Sequence, residues 1–218
     1  MATVTYNPGV FDVADLDAAR RIILTPDQAL DTDTRWARET PYFGALLAAH
    51  LMPGPEHLVL DYGCGVGRLS KELIERSGCR VLGVDISASM RRMALDYVGS
   101  DRFEAISPEA FEARVRDGVR VDGAFAVWVI QHTLDPRLVV DAIASSLSPE
   151  GRLVVVNSLA RCVPAVEKPW ARDGVDVRAL LRERLLETGF GSPDPRHVGE
   201  PTARTCWWGV YWPRTPAP

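Results

Sequence analysis

The stretch Leu58 to Ser70, Leu-Val-Leu-Asp-Tyr-Gly-Cys-Gly-Val-Gly-Arg-Leu-Ser, constrains this chain more than any other. Leu58, Val59 and Leu60 form the continuous apolar run of a parallel strand buried on both faces, and the run ends in an acid, Asp61. Gly63, Gly65 and Gly67 follow, ahead of a helical pattern. Glycines at such a bend let the backbone turn sharply and let a ligand approach the main chain. The amides that open the next helix favour electron-rich ligand atoms. A second strand, Arg80 to Asp85, also ends in an acid, about 20 residues after the glycines, the spacing at which a carboxylate meets ribose hydroxyls. Strand, glycine turn, helix and strand together point to an α/β fold that binds a nucleotide-type ligand.

A chain of 218 residues suits one such domain with a full core of its own. The net charge is −4 and the Lys and Arg residues are scattered, which argues against a nucleic-acid partner, because phosphate neutralisation needs a clustered basic face. No apolar run approaches the ~20 residues that span a bilayer, so no membrane partner is expected. Met1 to Asp12 has no basic start followed by an apolar core, so a secretion signal is not expected either. Cys64, Cys79, Cys162 and Cys206 stand far apart, as do His50, His57, His132 and His197. Reduced thiols in a cytoplasmic protein, and no metal, are the expectation.

Taken in order, Asn7-Pro8-Gly9 is a turn in a segment that can act as a flap, and Asp15 can cap a short helix. A second helix, roughly Thr34 to Leu51, carries Trp36, Phe43, Leu47 and Leu51 on one stripe and ends before Pro53. Arg102 to Ile106 reads as a third strand, Val121 to Ile130 as a fourth and Arg152 to Asn157 as a fifth. Ser158 to Asp176 has no period, and loops of that length are functional or disordered. A helix from Val177 through Leu186, closed by Gly189, then precedes a short strand near His197 and a longer one from Thr205 to Trp212.

Leu60-Asp61-Tyr62-Gly63-Cys64-Gly65-Val66-Gly67 resembles the acid-x-Gly-x-Gly-x-Gly motif of class I S-adenosylmethionine-dependent methyltransferases, and Gly83-Val84-Asp85-Ile86-Ser87 resembles their second motif. The Leu-x-Pro-x-Gly-x-Leu run from Leu147 to Leu153 resembles the family again, and the likeness covers about Trp36 to Asn157. A nicotinamide-binding loop would instead want a third glycine at Arg68 and rarely has an acid closing its first strand. The resemblance implies a Rossmann-like sheet of seven mostly parallel strands with an antiparallel C-terminal hairpin and helices on both faces. It implies an N-terminal helical cap or lid over residues 1–54 and an S-adenosylmethionine-binding domain over residues 55–218, one structural domain overall.

The cofactor contacts implied by the resemblance begin with Asp61, Gly63, Cys64, Gly65 and Gly67 along the turn and Asp85 on the ribose. Ile86 and Met90 flank the adenine, while Val127, with Ala126 and Trp128, passes the cofactor at the end of the fourth strand. Ser107 stands where many relatives place an acid that bonds the adenine amino group; a backbone amide is the alternative. Arg35, Trp36 and Tyr42 are candidates for the methionine end, Arg35 by pairing with its carboxylate and an aromatic by facing the sulfonium. A core role for Trp36, Ile86 and Met90, and a solvated charge for Arg35, are the other readings.

Methyl transfer is an in-line displacement, so positioning dominates, and an oxygen or protonated nitrogen acceptor also has a proton to lose. Gln131 and His132 stand at the mouth where an acceptor arrives; His132 is the candidate base, with a structural loop anchor as the alternative. A small-molecule methyl acceptor is expected, because the chain lacks an inserted domain for a protein or RNA substrate. A non-methylating or regulatory module and a nicotinamide oxidoreductase stay open as other functions. The aromatic strand with Trp207, Trp208, Tyr211 and Trp212 reads as a pocket wall or a dimer face. The acceptor, the atom methylated and the oligomeric state are not written in these residues.

Overall fold

Local capping starts both N-terminal helices. Asp15 Oδ1 accepts the Ala18 N–H at 2.8 Å to open α1 (Leu16–Ile23). Asp31 Oδ1 accepts the Thr34 N–H at 2.7 Å to open α2 (Thr32–Leu51), which therefore begins two residues before the Thr34 suggested by periodicity. The computed structural model describes residues 5–27, 30–168 and 170–214. The start of the expected N-terminal flap, Pro169 of the long loop and the tail from Thr215 lie outside the described residues.

Strands and helices then alternate: β1 (Leu58–Tyr62), α3 (Arg68–Ser77), β2 (Arg80–Val84), α4 (Ala88–Val98), β3 (Phe103–Ile106), α5 (Pro108–Arg116) and β4 (Val121–Val127). After a 3₁₀ turn at Ile130–His132 come α6 (Pro136–Ser146), β5 (Leu147–Ser158), α7 (Val177–Arg184) and β6 (Leu185–Gly191). Two short helices, α8 (Pro195–Val198) and α9 (Glu200–Thr205), lead into β7 (Cys206–Pro213). The strands form one seven-stranded sheet in the order β3-β2-β1-β4-β5-β7-β6. The first five are parallel, and β7 runs antiparallel to both β5 and β6. This is the sheet expected from the sequence.

Alternation along the strands divides the core between the two faces. Val59, Phe125, Val154 and Val156 pack with Phe43 and Leu47 of α2 and with Leu69 and Leu73 of α3. Leu60, Ala124, Leu153 and Val155 pack on the opposite face with Phe111, Ile143 and Leu181 from α5, α6 and α7. A fully buried Phe or Leu contributes roughly 1.5–3 kcal/mol, so both faces hold the sheet in place.

The sixth strand lies elsewhere than the periodicity suggests. His197 sits in α8, and the strand is Leu185–Gly191, with alternating burial from Leu185 onward. Two adjacent leucines read equally well as a helix end or a strand start; pairing with Pro213 and Trp212 across the hairpin decides for the strand. The fourth strand also ends early, at Val127, because Trp128 adopts φ of 61° and breaks the extended run.

Candidate functional site

Strand order reverses between β2-β1 and β4-β5, so a crevice opens beyond the carboxyl ends of β1 and β4. The triple-glycine turn sits there. The Gly63 and Cys64 N–H groups both donate to the Val84 carbonyl, at 2.6 and 3.0 Å, which ties the turn to the end of β2. Gly63 has φ of 81°, and a Cβ there would come within 2.2 Å of the Val129 side chain. Gly67 has φ of 76° and caps α3 without any side-chain bond, which leaves the first-turn amides facing the crevice.

Asp85 closes β2 and joins the two motifs. Its Oδ2 accepts the Gly65 N–H at 2.8 Å and its Oδ1 accepts the Ser87 N–H at 2.9 Å. Each carboxylate oxygen keeps a second lone pair for a ligand hydroxyl. Burial raises the Asp85 pKa, against the two backbone bonds. Asp61 lies deeper: its Oδ2 accepts the Ser70 hydroxyl at 2.6 Å, and burial pushes its pKa up to about 7. The crevice is lined by Asp61, Gly63, Cys64, Gly65 and Val127 among the expected residues, and by Ile23, Arg68 and Leu69 beside them.

The expected residues outside the turn occupy varied positions. Ile86 is exposed beside Asp85, whereas Met90 is buried against Ala19 and Val66. The Ser107 hydroxyl accepts the Ala110 N–H at 3.3 Å as the cap of α5. Arg35 is buried rather than solvated: its Nε donates to Glu39 Oε1 and its Nη1 to the Thr25 carbonyl, each at 2.6 Å. Trp36 lies between two guanidinium groups, Arg20 at 5.0 Å and Arg68 at 5.3 Å from the ring centroid. Tyr42 faces the C-terminal connection, where its hydroxyl accepts the Asp194 N–H at 2.9 Å and its ring stacks on His197.

Several residues at the site escaped the sequence reading. Arg68 is buried, donates to Thr40 Oγ1 at 3.1 Å and has its pKa lowered to about 10 by burial. Its place directly after the last glycine was the available signal. Asp12 Oδ1 accepts the Ser89 hydroxyl at 2.6 Å, and the Val13 N–H donates to Ser89 Oγ at 3.2 Å. On the other side, Asn7 N–H donates to the Pro164 carbonyl at 3.0 Å and Tyr6 bridges to Ala165. Residues 5–13 thus run from the loop after β5 to the start of α4, and α1 brings Ile23 within reach of Gly65. Nothing in the local sequence announces the Ser89 contacts, whose partners lie 76 and 77 residues away.

Beyond β4, Gln131 and His132 lie in the 3₁₀ turn Ile130–His132. Phe11 and Trp170 flank the His132 ring, with centroids 6.0 and 5.2 Å away. Arg161, buried beneath, is held by Asp173 and by the carbonyls of Ile130, Thr133 and Leu134. Among the described residues, no group of three or more His, Cys, Asp or Glu side chains converges as a metal site would require. No helix among the described residues is long and apolar enough to cross a membrane.

A sheet of this order, closed by antiparallel strands, with a triple-glycine turn at the reversal and a carboxylate ending β2, defines the class I S-adenosylmethionine-dependent methyltransferase fold. A family model described as a methyltransferase domain matches residues 31–205, and the chain belongs to that family, whose cofactor is S-adenosylmethionine. It is similar to a ubiquinone biosynthesis O-methyltransferase of Cupriavidus pinatubonensis, 35% identical over 101 residues, which cover 44% of this chain and 39% of that protein. It is 32% identical over 199 residues to a trans-aconitate 2-methyltransferase of Paracidovorax citrulli, covering 83% of this chain and 68% of that one. The N-methyltransferase NodS of Bradyrhizobium japonicum, solved with S-adenosylhomocysteine, shares the fold at a TM-score of 0.62 and 19% identity, covering 83% of this chain and 88% of that chain. The matched stretches span 39% to 68% of the curated relatives' lengths.

The crevice fits this cofactor. A Cβ at Gly65 would come within 2.9 Å of Ile23 in its wall, so only glycine leaves the turn open there, and the Asp85 carboxylate, bonded to the Gly65 amide, suits vicinal hydroxyls.

Proposed function

We propose that this chain transfers the methyl group of S-adenosylmethionine to a small-molecule acceptor. The observation that carries this reading is the Asp85 carboxylate bonded to the Gly65 amide at the point where strand order reverses. When bound, the cofactor supplies an electrophilic methyl group on a sulfonium. Asp85 is placed to accept ribose hydroxyls, and the glycine turn with the open N-terminus of α3 to receive the amino-acid end. Asp61, whose carboxyl burial keeps largely protonated below about pH 7, and the Arg68 guanidinium lie beside that end. Cys64, Val127 and Ile86 complete the walls, and Arg35 acts through the α2 packing that presents Trp36 and Arg68.

Residues 5–24 are read as a lid that closes over the crevice and excludes water from the displacement. The small-molecule class is supported by the relatives named for ubiquinone biosynthesis and trans-aconitate. It is also supported by the acceptor side, where the strand connection is a loop and not an inserted domain.

The test is calorimetry with S-adenosylhomocysteine, followed by transfer of labelled methyl to a panel of small phenols, carboxylic acids and amines. Binding with transfer is the expected result. Binding without transfer to any acceptor would favour a module that keeps the cofactor fold for another purpose.

A further inference from the structure

We propose that Gln131 is a positioning residue that holds His132 as a neutral imidazole with its proton on Nδ1, so that the ring clasps two loops instead of taking the acceptor's proton. The inference rests on the reading of this end of the crevice as the acceptor side.

The hydrogen bonds leave one assignment. The Ser158 N–H can only donate, and it lies 2.6 Å from Gln131 Oε1, so that atom is the carbonyl oxygen of the amide. The other amide atom is therefore the –NH₂ nitrogen, a donor, and it lies 3.1 Å from His132 Nε2. His132 Nε2 must offer its lone pair. The ring proton then sits on Nδ1, which is 2.7 Å from the Cys162 carbonyl, a group that can only accept. All three contacts are satisfied by one tautomer and by no other.

Gln131 is well built for this task. It is buried, its own N–H donates to Asn157 Oδ1 at 3.0 Å, and its carbonyl accepts the Cys162 N–H at 2.9 Å. Gln131 and His132 therefore join the turn after β4 to the end of β5 and the loop after it through four bonds, to Asn157, Ser158 and, twice, Cys162. The charge of Arg161 acts on the ring; Arg161 is paired with Asp173 on the same loop, and the Tyr6 hydroxyl lies within electrostatic reach of it. Phe11 and Trp170 cover the ring with apolar surface. Burial, with Arg161 adding to it, lowers the His132 pKa, in keeping with a ring held neutral.

The chemical consequence concerns the acceptor. Its lone pair forms the new bond to the methyl carbon, the carbon–sulfur bond breaks with its electron pair going to sulfur, and the acceptor's proton leaves to water. An acceptor already ionised needs no such step. His132 contributes placement of the loops, and the rate follows the acceptor's own ionisation.

The experiment is ¹⁵N NMR of the histidine rings in the whole protein, with no acceptor present, as a function of pH. The expected spectrum shows His132 protonated on Nδ1 and unprotonated on Nε2 from neutral pH down to below the ordinary imidazole value of about 6.5. An Nε2–H tautomer, or free titration near that value, overturns the proposal. In Gln131→Glu a carboxylate oxygen still accepts from Ser158 but the other now faces the His132 lone pair. Its pKa is expected to rise by about one unit or more; an unchanged His132 pKa in that variant also overturns the proposal. S-adenosylhomocysteine affinity on the same wild-type samples reports separately on the methyltransferase reading, so failure of one can be told from failure of the other.

Discussion

Asp85 Oδ2 and the Gly65 N–H lie 2.8 Å apart, and that bond joins the second-strand acid to the glycine turn. Asp85→Ala removes both the proposed ribose acceptor and this bond. S-adenosylhomocysteine affinity is expected to fall about 10- to 100-fold by calorimetry, the range for hydrogen bonds to a charged group. The far-ultraviolet circular dichroism is expected to remain that of the folded chain. Unchanged affinity would remove Asp85 from the site.

Asp61 predicts a pH dependence of stability. Burial pushes its pKa up to about 7, from an ordinary value of 3.8 in the unfolded chain. Between those values the folded protein holds the extra proton, so this group's contribution is fully present at the acidic end and is lost as pH rises toward 7. The slope is at most about 1.4 kcal/mol per pH unit. Asp61→Asn is expected to flatten it, measured as urea midpoints at about pH 5 and about pH 7 in both proteins. Parallel pH profiles would mean that Asp61 ionises normally.

Glu39 is fully buried and pairs with Arg35 through Nε at 2.6 Å. Burial raises its pKa, against the charge and the hydrogen bond of Arg35. Glu39→Ala leaves a buried guanidinium without its carboxylate, and a loss of about 3–5 kcal/mol is expected from denaturant unfolding. Glu39→Gln keeps an oxygen for Arg35 Nε and is expected to cost less. Equal losses would show that the charge, not the bond, matters.

The proposed lid makes a prediction about protection. Asp12→Ala removes the acceptor for the Ser87 and Ser89 hydroxyls that fastens residues 5–13 to α4. Limited proteolysis is expected to cut this segment faster in the variant, and S-adenosylhomocysteine is expected to slow the cut in the wild type. Equal cleavage with and without that ligand would count against a lid.

How much of this was legible beforehand differs from element to element. The strand Leu58–Tyr62, the turn after it and Asp85 were plain, because glycine spacing and a terminal acid are local and each has one structural use. The N-terminal cap of α1 at Asp15 was equally plain, since its bond is three residues long. Leu185–Gly191 read as a helix end because its partner strand lies some twenty residues on and only pairing distinguishes the two readings. Arg35 read as a solvated charge or a ligand; the carboxylate four residues on, buried with it, commits it to a third role.

The sequence by itself determined the parallel strands, the triple-glycine turn and the family, since apolar period, glycine placement and strand-ending acids act over a few residues. Tertiary structure alone decided which side chains meet across that crevice. Asp12 finds Ser89, Gln131 sets the proton on His132, and Arg68 slides over Trp36. Each is a contact or a tautomer decided by groups that folding brings together, and a buried polar atom takes whatever partner the closed chain leaves within reach.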